Sequence, residues 1–215
     1  MKEKTTLEVT LDEARELYNS GNKTLNELAL KAFSEDELTP PSFSKIKTFE
    51  DAVKVLGMDI DDVNAIVSGI KKTSKATTAM FQLSLIRKAL NLRQNLQLTE
   101  NPKCSWIYYP YNPFITESST YYEKELKTGK MEIIGKIKSN GVLYNVLSGH
   151  ADYVCANGVG DFYSENGVGN ATANGGLLGC ANEEIAKHFG KYFGMLITEA
   201  KYGDLPDFQI TERIY

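Results

Sequence analysis

Cys180 stands two residues ahead of a helix-start signal, Asn182-Glu183-Glu184, and a thiol at a helix N-terminus ionises more readily than one in open chain. The chain holds two histidines, His150 and His188, that could take its proton, the least that a cysteine-dependent hydrolase requires. The third, orienting group is poorly provided: only Asp152, next but one to His150, presents itself. His188 follows Lys187 on the polar side of its helix, where a solvated residue is expected. Cys180 is therefore read first as a buried or incidental thiol, and the hydrolase is kept as an alternative. His150, Asp152, Cys155 and Cys180 are also zinc-ligand types. On a strand His150 and Asp152 share one face while Cys155 takes the other, so the set does not converge. No metal and no cofactor are expected.

From Asn157 to Gly179 the chain is dense in glycine, and Asn157-Gly158-Val159-Gly160 recurs as Asn166-Gly167-Val168-Gly169. Loop amides leading into a helix N-terminus make an anion site, which would suit sequestration of a small, nucleotide-like ligand. Neither GxGxxG nor GxxxxGK[ST] can be written onto residues 157–183, however, and Glu183 and Glu184 already offset the positive helix end. Successive turns of a β meander are the plainer reading.

Residues 106–122 hold Trp106, Tyr108, Tyr109, Tyr111, Phe114, Tyr121 and Tyr122, nearly a third of the 22 aromatic residues of the chain. Buried, they are a sheet core with polar tips, which is the first reading. Exposed, they form a stacking surface, because aromatic faces supply contact area at low entropic cost. The candidate binding surface is accordingly drawn from Trp106, Tyr108, Tyr109 and Tyr111, together with Asn166, Gly167, Gly169 and Asn174 of the glycine-rich segment.

These residues need a scaffold, and its punctuation is written in the chain. Thr10 with Glu13, and Thr24 with Glu27, match the capping box, so a helical hairpin is expected over about residues 10–38. Thr39-Pro40-Pro41-Ser42 ends it, because proline disfavours helix at its own position and at the one before. The expected division is a hairpin over 1–39, a linker over 40–45 and an α+β domain over 46–215. Helices are predicted from Thr48 to Gly57, Asp59 to about Gly69 and Ser74 to about Asn95. The last of these carries an apolar stripe of Ala76, Ala79, Met80, Leu83, Ile86 and Leu90.

After Pro102 the period changes. Strands are predicted over 106–109, 131–138, 142–147 and 150–156, with Asn140-Gly141 supplying the positive φ of a tight hairpin turn. A closing helix runs from Asn182 to about Tyr202 with Ile185, Phe189, Phe193, Leu196 and Ala200 on its core side. Ala186, Gly190 and Gly194 make a second stripe of small residues, which predicts tight packing across the sheet. The fold class is thus α+β, helices first, then an antiparallel sheet against a long C-terminal helix.

The charged residues sum to −4, which gives no long-range attraction to a phosphate backbone, so nucleic acid is not expected as a partner. The opening MKEKTTLEVT contains no apolar stretch of signal-peptide length, and no window could cross a bilayer, so the chain is expected to stay in the compartment that makes it. Three cysteines at wide spacing fit reduced thiols rather than a disulfide framework.

Five blocks, LDEARELYNSGNKTLNELALKAFSEDEL, IKTFEDAVKVLG, LSLIRKALN, SWIYYPY and GGLLGCANEEIAKHFGKYFGMLI, together resemble a family of small proteins encoded by tailed phages and prophages of gut Bacteroidales, including crAss-like phages. That resemblance implies a viral protein in a bacterial host cytoplasm or in the virion. It transfers no catalytic motif. The expectation is a non-catalytic binding or structural protein that engages a virion or host protein, with a small-molecule ligand and self-association as further possibilities.

Overall fold

The computed structural model describes residues 9–39, 42–92, 106–155 and 178–215, without the side chains of residues 12, 36, 106, 107 and 150–155. The fold is α+β, as its punctuation predicts. Helix α1 (Leu11–Asn19) opens on the expected capping box of Thr10 and Glu13. Helix α2 (Lys23–Ala32) starts earlier than Thr24 indicates. The Asn22 carboxamide accepts from Thr24 N and Leu25 N, so Asn22 is the cap and Thr24 lies inside the helix. A short α3 (Glu35–Leu38) follows with its own capping box of Ser34 and Glu37. The three helices enclose Ala14, Ala29 and Leu38.

Residues Phe43–Lys45 form one turn of 3-10 helix, and Ile46 behind it is wholly buried. Helices α4 (Phe49–Val55) and α5 (Ile60–Lys71) begin at Thr48 and Asp59, as their side-chain acceptors dictate, and Gly57 takes the left-handed stop at φ +67°. Arg15 links the first hairpin to this layer by donating from Nη1 to Val55 O at 2.8 Å. Helix α6 (Lys75–Leu90) carries Ala79, Leu83, Ile86 and Leu90 into the core, whereas Met80 of the expected stripe is exposed.

The strands form two antiparallel sheets. Strand β1 (Trp106–Tyr111) pairs with β5 (His150–Cys155). A second sheet has the order β2 (Phe114–Ile115), β4 (Val142–Leu147), β3 (Ile133–Ser139), β6 (Gln209–Arg213). Asn140 and Gly141 turn between β3 and β4 with φ of +48° and +77°, the double positive φ that Asn-Gly tolerates. Helix α7 (Glu123–Lys127) covers part of the outer sheet face, where Ile115, Met131 and Leu147 cluster.

Helix α8 (Glu183–Tyr202) lies between α6 and the strands. Ile185, Phe189, Phe193, Ile197 and Ala200 join the main core with α4 and α6, while Met195 meets Ile134, Ile137 and Val146 of the sheet. Phe189 is wholly buried; removing a ring from such a position costs about 3–5 kcal/mol. Its small-residue stripe does what its spacing predicts. A Cβ on Gly194 would sit 2.5 Å from Ile134 Cδ1 and 2.6 Å from Asn112 Nδ2, so only glycine lets the helix approach this closely.

Candidate functional site

Of the tyrosines on β1, Tyr109, a candidate for the binding surface, belongs instead to the main core at 3% exposure and offers no surface to a partner. Tyr108 and Tyr111 are half-buried. The side chain of Trp106, and Asn166, Gly167, Gly169 and Asn174, lie outside the described residues, as do the side chains of His150, Asp152 and Cys155.

Cys180 is placed by the chain on the far side of β1. Tyr108 N donates to Cys180 O at 3.1 Å and Cys180 N to Tyr108 O at 2.7 Å, making an antiparallel bridge. The end of α6 holds the same segment: Asn91 donates to Gly179 O at 3.2 Å and accepts from Ala181 N at 2.9 Å. The thiol is fully buried, 3.3 Å from Leu178 O, and burial pushes it up to about 12, against weaker lowering by the nearby Arg87 charge and the Asn91 amide. A thiol so held is protonated at neutral pH and has no nucleophilic thiolate to offer.

His188 corrects the expectation of a solvated residue. Its Nε2 is 2.6 Å from Ile46 O, and its ring is tilted against Tyr192 and edge-on to Phe43, at centroid distances of 4.6 and 5.4 Å. Burial lowers its pKa, with Lys47 and Lys191 adding repulsion against the partial gain from Ile46 O. Ile46 and Phe43 come from more than 140 residues away in the chain, so the Lys-His pair on its own helix gave no sign of them. Among the described residues no group of three or more His, Cys, Asp or Glu could hold a metal ion, and no helix is long and apolar enough to cross a membrane.

The aromatic surface that does stand free is reached through Tyr111. Beyond β2 the chain turns through Thr116 to Thr120, with Ser119 N donating to Thr116 O at 3.0 Å and Tyr121 N to Ser119 Oγ at 3.2 Å. Tyr122 then adopts φ +62°, a left-handed conformation uncommon for a bulky side chain and a mark of a position held by its surroundings. What holds it is identifiable. Its ring packs on the cluster of Ile115, Met131 and Leu147, and its hydroxyl hydrogen-bonds Tyr111. Burial first, and the Tyr111 phenol second, raise the pKa of Tyr122.

This anchoring leaves Tyr121 outside. Its ring is 77% exposed, the most exposed large apolar side chain described, with its centroid 6.3 Å from that of Tyr122. Thr116, Ser118 and Ser119 supply hydroxyls in the same loop, and Thr116 Oγ1 and Ser118 Oγ are 3.3 Å apart. A rigidly based aromatic face beside hydroxyl groups is equipped for contact recognition. Sequence reading placed Tyr121 in the aromatic cluster but centred the site on β1. The alternation of a strand cannot reveal which tyrosines the following loop will leave uncovered, although the Ser-Ser-Thr run before Tyr121 signalled a surface turn. Comparison with protein-family models, with curated proteins and with solved structures gave no match.

Proposed function

We propose that this chain is a phage-encoded, non-catalytic binding or structural protein that engages a protein partner, of the virion or of the host, through the loop bearing Tyr121. One observation carries the reading: a tyrosine 77% exposed, on a loop whose next residue is locked at φ +62° against a buried cluster. Folding leaves this ring in water while burying Tyr109 of β1. Aromatic side chains are frequent anchors of protein interfaces, and those that act as hot spots cost about 2 kcal/mol or more when truncated. The five sequence blocks that resemble phage proteins supply the viral setting, with the host cytoplasm or the virion as the place of action.

The test is a photo-cross-linking amino acid at position 121, with the same substitution at exposed Ile66 as control. Irradiation in phage-infected cells is expected to give one discrete adduct with a phage or host protein from position 121 alone. Adducts of equal pattern from both positions would sink the proposal. Mass spectrometry of purified particles then decides between virion and host, according to whether the chain is present in the particle.

A further inference from the structure

The four-stranded sheet ends in two unlike edges. Strand β2 is two residues long and offers a further strand little to pair with, whereas β6 runs five residues and, among the described residues, pairs with β3 alone. Thr211, Glu212 and Arg213 are exposed. A free row of backbone amides and carbonyls is a template for another strand. Beside it lies a groove of about 520 Å³, lined by Phe208 to Arg213 and by Lys75, Glu199 and Gly203. A second hollow of about 680 Å³ shares Lys75, Gly203, Phe208 and Gln209 and continues to Lys71 and Ser74, so the two form one trough.

The charges in the trough are unequally committed. Glu199 is paired with Arg213, and Glu212 with Lys136. Asp204 accepts from the Ser74 hydroxyl and from the amides of Lys75 and Ala76, which caps the start of α6. Lys71 and Lys75 form no salt bridge among the described residues; Lys75 meets Asp204 only through a longer-range attraction. The carboxylates are engaged while two ammonium groups are free to take a new one.

We infer that the β6 edge and this trough receive an extended segment of a partner protein, laid along β6 as an added strand, with an acidic side chain meeting Lys75 and Lys71. Main-chain pairing supplies affinity in such strand addition, and side chains alternating into the adjoining groove supply selectivity. A second copy of the chain has the wrong complement. Its own β6 would bring Glu212 and Arg213, both already paired, and no spare carboxylate. The surface is also separate from the proposed Tyr121 contact, since β6 is at the opposite edge of the sheet from β2, which leads into that loop.

The probe is a fluorescent octapeptide of alternating valine and threonine with glutamate at both ends, which serves either strand direction. A matched peptide ends in lysine. Saturable binding of the glutamate peptide is expected below ~1 mM, with amide NMR shifts concentrated at Gln209–Arg213 and Lys75. Lys71→Glu with Lys75→Glu, both exposed positions, is expected to weaken it about tenfold or more with an unchanged circular dichroism spectrum. Tyr121→Ala is expected to leave it unaltered, so failure of this surface and failure of the Tyr121 reading are told apart. Equal binding of the two peptides, shifts away from β6, or no binding at ~1 mM would overturn the inference. So would sedimentation showing that β6 is occupied by a second copy.

Discussion

The side-chain amide of Asn112 donates to the carbonyl of Gly190 at 2.9 Å, from a residue with no exposed surface at the turn between β1 and β2. The same Nδ2 donates to Leu147 O at 2.8 Å, so one nitrogen fastens α8 to the end of β4. Both partners are acceptors, which fixes the orientation of the carboxamide. Its Oδ1 is enclosed without a donor among the described residues.

An acid at this position should therefore be worse than a simple truncation. Asn112→Ala removes two buried hydrogen bonds and is expected to cost about 2–4 kcal/mol. Asn112→Asp aims a carboxylate oxygen at two carbonyl oxygens and should cost more at pH 7. Burial and those carbonyls raise the carboxyl pKa in the folded state, so the folded form binds the extra proton and the variant regains stability as pH falls below that value. Urea melts at pH 7 and 5, compared as Asp minus Ala, read the effect; a gap that widens on acidification would contradict it.

Two glycines in helices should respond to alanine with opposite sign. On Gly194 the new methyl meets Ile134 and Asn112 at 2.5 and 2.6 Å, and overpacking of about 1–3 kcal/mol exceeds the helix-propensity gain of about 1 kcal/mol. Gly69 in α5 has nothing within 4 Å of the added carbon, so Gly69→Ala should stabilise by about 0.5–1 kcal/mol. Thermal or urea unfolding of the two variants decides the matter, and equal shifts would refute the close approach of α8.

The contrast between these glycines marks what the chain discloses about itself. Helix starts at Thr10, Thr48, Asp59, Ser74 and Asn182 are legible because cap and first turn are a local affair, and the Asn140-Gly141 turn is legible for the same reason. The box of Ser34 and Glu37 obeyed the same rule and was there to be read. Strand β6 was not. Gln209-Ile210-Thr211-Glu212-Arg213 contains a single apolar residue, and it is a strand because β3 offers an edge. The candidate site divides likewise: aromatic density was visible, but the burial of Tyr109 and exposure of Tyr121 are decided by contacts between distant segments.

Cys180 should behave as a core residue toward thiol reagents. In a variant retaining it as the sole cysteine, labelling by a disulfide reagent at pH 8 is expected to be at least about 100-fold slower than in urea, because access requires opening of the segment pinned by Tyr108 and Asn91. The native rate should rise as urea is added below the unfolding transition. Rapid labelling of the folded protein would mean a reachable thiolate and would return the hydrolase reading to contention.

His188 gives stability a pH dependence of known direction. The groups facing it are Ile46 O, the Phe43 and Tyr192 rings, and the Lys47 and Lys191 ammonium groups, of which the two lysines oppose its protonation and burial opposes it most. The folded-state pKa is therefore below the usual 6.5, so the unfolded chain binds the proton first as pH falls. The contribution is intact above 6.5 and is lost progressively as pH drops toward the lowered value. Unfolding free energies measured between pH 7.5 and 5 should fall for the native chain and run nearly level for His188→Gln. The Gln carboxamide can still donate to Ile46 O but takes up no proton, and the 43–46 turn on α8 should loosen at the acid end only when histidine is present. A native profile as flat as that of the variant would mean that the imidazole is protonated in place without cost, and that its ring contacts do not exclude water.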